Sequence, residues 1–175
     1  VSSGTKASFE GITNGTYDIY AGKNEDNKTS LVDTGDTITV NNNSPSKNIN
    51  YYTVSFSVNN SDYGSVSKSS YIVLKNQAMT ASDATLTLSG VSITASTYSA
   101  TGYTTSFNKW TQNSTSGTQI SSSSVSITDD ITVYANFTRS AQSFSCSAGY
   151  YASANSTSCN NSCTSGYYCP GGKII

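Results

Sequence analysis

Histidine is absent from this chain of 175 residues, proline occurs twice, and Asp, Glu, Lys and Arg together make up only 11 %. Each shortage excludes something. Without histidine, the commonest general base and the commonest zinc ligand are both missing, so Ser-His-Asp and Cys-His chemistry are ruled out. Charge is well below the usual quarter of residues, and Lys and Arg are scattered singly around a formal net charge of -1. That distribution offers no basic patch for nucleic acid or for an anionic membrane surface, and neither is expected as a partner. The longest apolar run is a few residues, too short to span a bilayer as a helix. Residues 1 to 20 lack the basic start and apolar centre of a signal peptide. An export signal is therefore expected outside this stretch.

What the chain does contain is Ser, Thr and Asn in abundance, and 13 Tyr against 5 Phe and 1 Trp. Low charge with high polarity is compatible with disorder, but disordered segments lack aromatic and β-branched residues. Here Tyr, Phe, Val and Ile recur at regular intervals, which favours an ordered chain of strands and turns. In Gly15 to Tyr20, Tyr17 and Ile19 alternate with polar neighbours, the period-two signature of a half-buried strand, and Asp36 to Val40 repeats it. Gly22 to Asn27 and Asn41 to Ser46 read as loops. Further strands are expected at Tyr71 to Leu74, Ala84 to Thr94, Gly102 to Trp110, Ser124 to Thr128 and Ile131 to Thr138. The one stretch open to a short helix is Lys75 to Asp83.

Between Asn48 and Val58 the apolar phase slips. Ile49 and Tyr51 hold one parity, whereas Tyr52, Val54, Phe56 and Val58 hold the other. A one-residue slip turns side chains to the opposite face, so a module boundary is expected at Tyr51, crossed by a near-continuous and therefore stiff strand. The expected fold class is all-β: small β-modules in series over 1–50 and 51–139, then a small disulfide-rich tail over 140–175.

Residues 52 to 138 carry Tyr52-Thr53-Val54-Ser55-Phe56, Gly102-Tyr103-Thr104, Phe107, Trp110, Gly117-Thr118-Gln119-Ile120 and Ile131-Thr132-Val133-Tyr134-Ala135-Asn136-Phe137. In order and approximate spacing these blocks resemble the Listeria–Bacteroides repeat, the B-repeat of internalin-type bacterial surface proteins. The resemblance implies a β-grasp-like module that acts as a spacer or presents a ligand-binding region, with no catalytic residues. It also implies a structural core that includes Phe56, Tyr103, Phe107, Trp110 and Phe137. The stretch from Ser61 to Ser99 is longer than the usual middle of that family. Residues 1 to 50, through Gly15-Thr16-Tyr17-Asp18-Ile19-Tyr20-Ala21 and Asp33 to Val40, resemble the short β-modules beside such repeats and the small sandwiches of Cna B type. The tail, through Cys146 to Tyr151 and Gly166 to Gly172, resembles cysteine-rich repeats of the ephrin-receptor-like and growth-factor-like kind, of which about one and a half fit.

The four cysteines, Cys146, Cys159, Cys163 and Cys169, are confined to this tail. Their spacing contains none of the short Cys-x2-Cys knuckles that pre-arrange a zinc site, so disulfides and an oxidising, extracellular or cell-surface compartment are favoured over metal. Three pairings are open. The preferred one joins Cys146 to Cys159 and Cys163 to Cys169, because sequential bridges keep each loop local to one repeat, and a loop of about fourteen residues stabilises the tail by roughly 3 kcal/mol.

Other candidates are weighed against plainer roles. Trp110 is either a buried plug or an exposed platform for a sugar, and its place two to three residues from Phe107 in a strand favours the plug. Domains of this kind sometimes carry a Lys-to-Asn isopeptide bond; Lys6 with Asn48 or Asn50, and Glu10 or Asp18 as the acid, are the candidates, and all read equally well as surface residues. Asp26, Asp33, Asp36, Asp129 and Asp130 do not supply the alternating carboxylates of a calcium loop and read as turn formers. Eight Asn-x-Ser/Thr sequons occur, against about six expected by chance in so hydroxyl-rich a chain. No cofactor is expected. The expected partners are a host glycan or protein, or neighbouring modules of the same chain. Intact mass under non-reducing conditions should correspond to two bridges with no thiol open to alkylation. Four alkylated cysteines would remove the disulfide assignment.

Overall fold

The computed structural model describes residues 7–152, 158–165 and 172–174. The polar alternation reads through into an all-β chain, with no helix among the described residues. The first two strands, β1 (Gly15–Asn24) and β2 (Asn27–Val40), form a long antiparallel ribbon. The next eight are β3 (Tyr51–Val58), β4 (Gly64–Val66), β5 (Ser70–Leu74), β6 (Ala78–Ser82), β7 (Thr85–Leu88), β8 (Val91–Thr97), β9 (Tyr103–Gln112) and β10 (Gln119–Ile120). Then come β11 (Val125–Ser126) and β12 (Ile131–Ala141), and in the tail β13 (Phe144–Cys146), β14 (Tyr150–Tyr151), β15 (Asn161–Ser162) and β16 (Gly172–Ile174).

Seven strands make one sheet in the order β10-β9-β12-β3-β5-β1-β2, and five make a second in the order β11-β6-β7-β8-β4. At the centre of the first, β3 and β12 run parallel while their outer neighbours β5 and β9 are antiparallel to them. The order β5-β3-β12-β9 is that of a β-grasp sheet. In place of a helix, the second sheet packs across it. Tyr52, Val54, Phe56 and Val58 of β3, Val133, Ala135 and Phe137 of β12, and Tyr71 and Val73 of β5 meet Met79, Ala81, Leu86, Leu88 and Ile93 of the second sheet in one core. Alternate residues of each strand supply that core, so the pleat alone selects them.

Trp110 is 1 % exposed and its indole N–H donates to the Asp83 carbonyl at 3.1 Å, so the plug is the role it takes. Phe107, three residues earlier, would face the opposite side of a regular strand. A bulge between Asn136 and Phe137, where Asn136 pairs with Lys109 but Phe137 with Phe107, makes Asn108 the extra residue and returns both rings to the core. Phe107 then lies 5.6 Å from Trp110 and 5.9 Å edge-on from Phe137, centroid to centroid.

Three expectations are corrected. Tyr103 is not a core residue: it is 50 % exposed and pairs with Ala141 at the overhanging end of the β9–β12 ladder. The end of the core is closed one step earlier by Arg139, whose guanidinium lies 4.4 Å from the Tyr63 ring centre and donates to the Asp62 carbonyl and to Thr105 Oγ1. The stretch Lys75 to Asp83 holds β6, paired along its length with β7, in place of a helix. The expected single strand from Ala84 to Thr94 is a hairpin, because Ser89 and Gly90 both take positive φ, 51° and 83°, the geometry of a type I′ turn.

In the tail, Cys146 is bonded to Cys159 with a Cα–Cα distance of 5.4 Å, as the preferred pairing has it. Cys163 is also disulfide-bonded; Cys169, its expected partner, lies outside the described residues. Tyr150 and Tyr151 are about half exposed here. With so little apolar burial, the cross-link is the main constraint on the segment.

Two substitutions test this packing. Trp110→Ala should cost about 3 to 5 kcal/mol by emptying the centre of the core. Gly64→Ala should cost about 1 to 3 kcal/mol by overpacking, since a Cβ there would meet the Ser96 carbonyl oxygen and the edge of the Phe137 ring. Urea denaturation midpoints check both, and a Trp110→Ala protein of unchanged stability would return Trp110 to the role of an exposed platform.

Candidate functional site

The ribbon of β1 and β2 ends in a two-residue turn, Glu25-Asp26, between the paired Asn24 and Asn27. Asn24 organises it: its Oδ1 accepts from the Asp26 and Asn27 backbone N–H groups at 3.1 and 2.9 Å. This is the local bonding that makes Asn a turn residue. The other end of the same amide leaves the ribbon. Asn24 Nδ2 donates to the Ser89 carbonyl at 3.2 Å, and the hydroxyl of Ser89, in the β7–β8 turn, donates to Gln77 Oε1 at 2.9 Å.

Four further contacts fix the turn against the two-sheet module. Asn24 pairs with Val73, and the Glu25 N–H donates to the Ile72 carbonyl at 3.1 Å. The Tyr51 hydroxyl donates to the Gly22 carbonyl at 2.8 Å, and the Tyr71 hydroxyl donates to Asp26 Oδ2 at 2.6 Å. Asn24 is 3 % exposed and Ser89 6 %, yet among the described residues no buried side-chain N or O lacks a partner. The near-continuous strand expected across Tyr51 is absent, since residues 41–50 lie outside any strand and β3 begins at Tyr51; at the phase slip itself, Tyr52 turns toward the core and the Tyr51 hydroxyl toward the ribbon.

Burial raises the pKa of both tyrosines above the ordinary value. For Tyr71 the hydrogen bond to the Asp26 carboxylate and the negative charge of Asp26 add to burial in the same direction. Lys68 Nζ lies 5.0 Å from the Tyr71 ring centre. These contacts join segments 45 and 65 residues apart, Asp26 to Tyr71 and Asn24 to Ser89. The sequence marks Gly22 to Asn27 as a turn and gives no sign of what the turn touches.

Two shallow grooves lie outside this junction. A groove of about 400 Å3 lies over the outer face of β3 and β12, lined by Thr53, Ser55, Asn113, Asp130, Ile131 and Thr132. A second, of about 350 Å3, lies between Phe56, Val58, Val66 and Tyr98 at the edge of the two sheets. Tyr17, Tyr20 and Leu31 are exposed along the ribbon, and Tyr98 and Tyr103 are exposed as well. Among the described residues, no three acidic or cysteine side chains converge as a metal site, and the one ion pair, Lys47 to Asp36 at 3.1 Å, is solvent-exposed.

The isopeptide candidates are not assembled. Asn48, Asn50, Glu10 and Asp18 are all exposed, whereas the crosslink needs a desolvated acid between a buried Lys and Asn; Lys6 lies outside the described residues. Asp33 and Asp129 do act in turns, their Oδ1 atoms accepting from the Gly35 and Asp130 N–H groups, whereas Asp130 Oδ1 accepts from the distant Thr53 N–H. Of the sequons, Asn136 is 5 % exposed and its amide N–H groups are bound to Thr111 Oγ1 and to main-chain carbonyls, so it is closed to glycosylation in the folded chain.

No family model, curated protein or solved structure matches the chain.

The junction makes stability depend on alkaline pH. Below about pH 10 the tyrosines are protonated whether the chain is folded or not, and their contribution is complete. Above it the unfolded chain releases protons first, because the folded pKa values are raised, so stability should fall as pH rises. Chemical denaturation between pH 8 and 11 should show this decline, and Tyr51→Phe with Tyr71→Phe should flatten it. At pH 7, Tyr71→Phe alone should cost about 1.5 kcal/mol by removing a hydrogen bond to a charged group.

Proposed function

We propose that this chain is a non-enzymatic spacer segment of a large secreted or cell-surface protein, in which small β-modules in series hold a distal binding region away from the surface. The observation that carries the proposal is the docked turn. Besides the connecting stretch of residues 41–50, the N-terminal ribbon meets the next module through direct hydrogen-bonding contacts about Asn24, Ser89, Tyr51 and Tyr71. A joint of that kind resists bending, as a spacer requires. The resemblance of residues 52 to 138 to the Listeria–Bacteroides repeat supports the same reading, and so does the β-grasp strand order. The Cys146–Cys159 bridge supports an extracellular location.

A second reading, direct binding of a host glycan or protein, is favoured by the exposed Tyr17 and Tyr20 on the ribbon. Tyrosines among small polar residues make adaptable contact surfaces. Incubation of the 175-residue chain with a glycan array and a panel of extracellular-matrix proteins separates the two. A spacer should give no specific signal, and saturable binding abolished by Tyr17→Ala or Tyr20→Ala would overturn the spacer in favour of the binder.

A further inference from the structure

We infer that the parallel pair β3–β12 is a shear clamp, a mechanical element that lets the module carry tension along the chain without opening. Tension enters the module at Tyr51, the first residue of β3, and leaves at Ala141, the last of β12. Because the two strands are parallel, these points lie at opposite ends of the pair. Pulling therefore slides one strand lengthwise past the other. All the bonds between them are strained together, and none can break first at an open end.

The ladder is built to be continuous. Backbone register runs from Ile131 opposite Val54 to Ala135 opposite Val58. Beyond each end a side chain does the work of a peptide group. At the start, Asp130 Oδ1 accepts from the Thr53 N–H at 2.7 Å. At the finish, the Asn59 N–H donates to the Ala135 carbonyl at 3.2 Å, Asn59 Oδ1 accepts from the Phe137 N–H at 2.9 Å, and Asn59 Nδ2 donates to the Phe137 carbonyl at 2.8 Å. Both strands are interior to the sheet, and Val54, Phe56, Val133 and Ala135 are buried beneath the second sheet, which keeps water from one face of the strained bonds.

The ribbon responds in the opposite way. Gly15 and Val40 are partners at the same end of an antiparallel pair, so tension on them peels β1 from β2 one bond at a time. Under load the ribbon opens first and the clamp holds. The biological use of the clamp rests on the spacer reading above; its mechanical response does not.

Single-molecule pulling of the whole chain tests the clamp, with azide-bearing residues as handles introduced in place of Asn50 and Gln142, or in place of Asn50 and Asp129. The first pair loads β3 and β12 in shear. The second grips both strands at the same end and peels them. Shear should need severalfold more force, releasing about 90 residues, or roughly 300 Å of chain, in one event. Asp130→Ala and Asn59→Ala should each lower the shear force and leave the peeling force nearly unchanged, and Asp130→Asn, which keeps the Oδ1 acceptor, should retain it. Equal forces in the two geometries would overturn the clamp and leave the spacer reading standing, since that reading is judged by binding. The clamp would also fall if the two alanine variants lowered both forces alike along with the melting temperature, since that pattern is a general loss of stability.

Discussion

β3 and β12 run side by side in the same direction, and two parallel strands cannot be joined by a tight turn. Everything between Asn59 and Asp130 is the connection that this constraint demands. A crossover of this kind usually carries a helix over the sheet, which buries its apolar face with a single stripe of side chains. Here a chain rich in Thr and Ser, poor in strong helix formers, does the same with strands. The hairpins β6–β7 and β7–β8 lay Met79, Leu86, Leu88 and Ile93 across Phe56, Val133 and Trp110, so the apolar face is covered and the outward positions are left to hydroxyls.

The two kinds of contact in the molecule are divided by place. Between the two sheets the packing is apolar, with three aromatic rings, Phe107, Trp110 and Phe137, brought together by one extra residue at Asn108. At the junction with the ribbon it is polar and directional, through Asn24, Ser89, Tyr51 and Tyr71. A two-stranded ribbon buries too little to be stable alone. Fastening it by hydrogen bonds fixes its angle, because each bond restricts direction as well as distance, where an apolar contact would restrict distance only. For a segment whose proposed work is to hold shape over length, the directional joint is the more useful kind.

Much of this was legible residue by residue. The alternation of Tyr52, Val54, Phe56 and Val58, and of Val133, Ala135 and Phe137, marked their inward faces, and Trp110 read as the core plug it is. The slip at Tyr51 marked where the chain turns from one neighbour to another. Ser89-Gly90 was legible as well, since Leu86 and Leu88 are even and Val91 and Ile93 odd, but two short apolar runs of similar composition pass for one strand. Tyr103 was misread because the resemblance to the B-repeat implies a core position for it, and only the position of Arg139 shows that the core has already ended there.

Composition and period-two patterning by themselves determined that this chain is all-β, which residues of β3 and β12 face inward, and that its tail would be cross-linked. The tertiary structure alone decided that β3 and β12 are parallel, that a second sheet replaces the helix, and that Asn24 and Asp26 meet Ser89 and Tyr71 across 65 and 45 residues of chain. The reason is physical. Side-chain alternation is a property of one strand and its own backbone, whereas the choice of partner is settled by which distant faces can be buried together with every backbone and side-chain donor still satisfied.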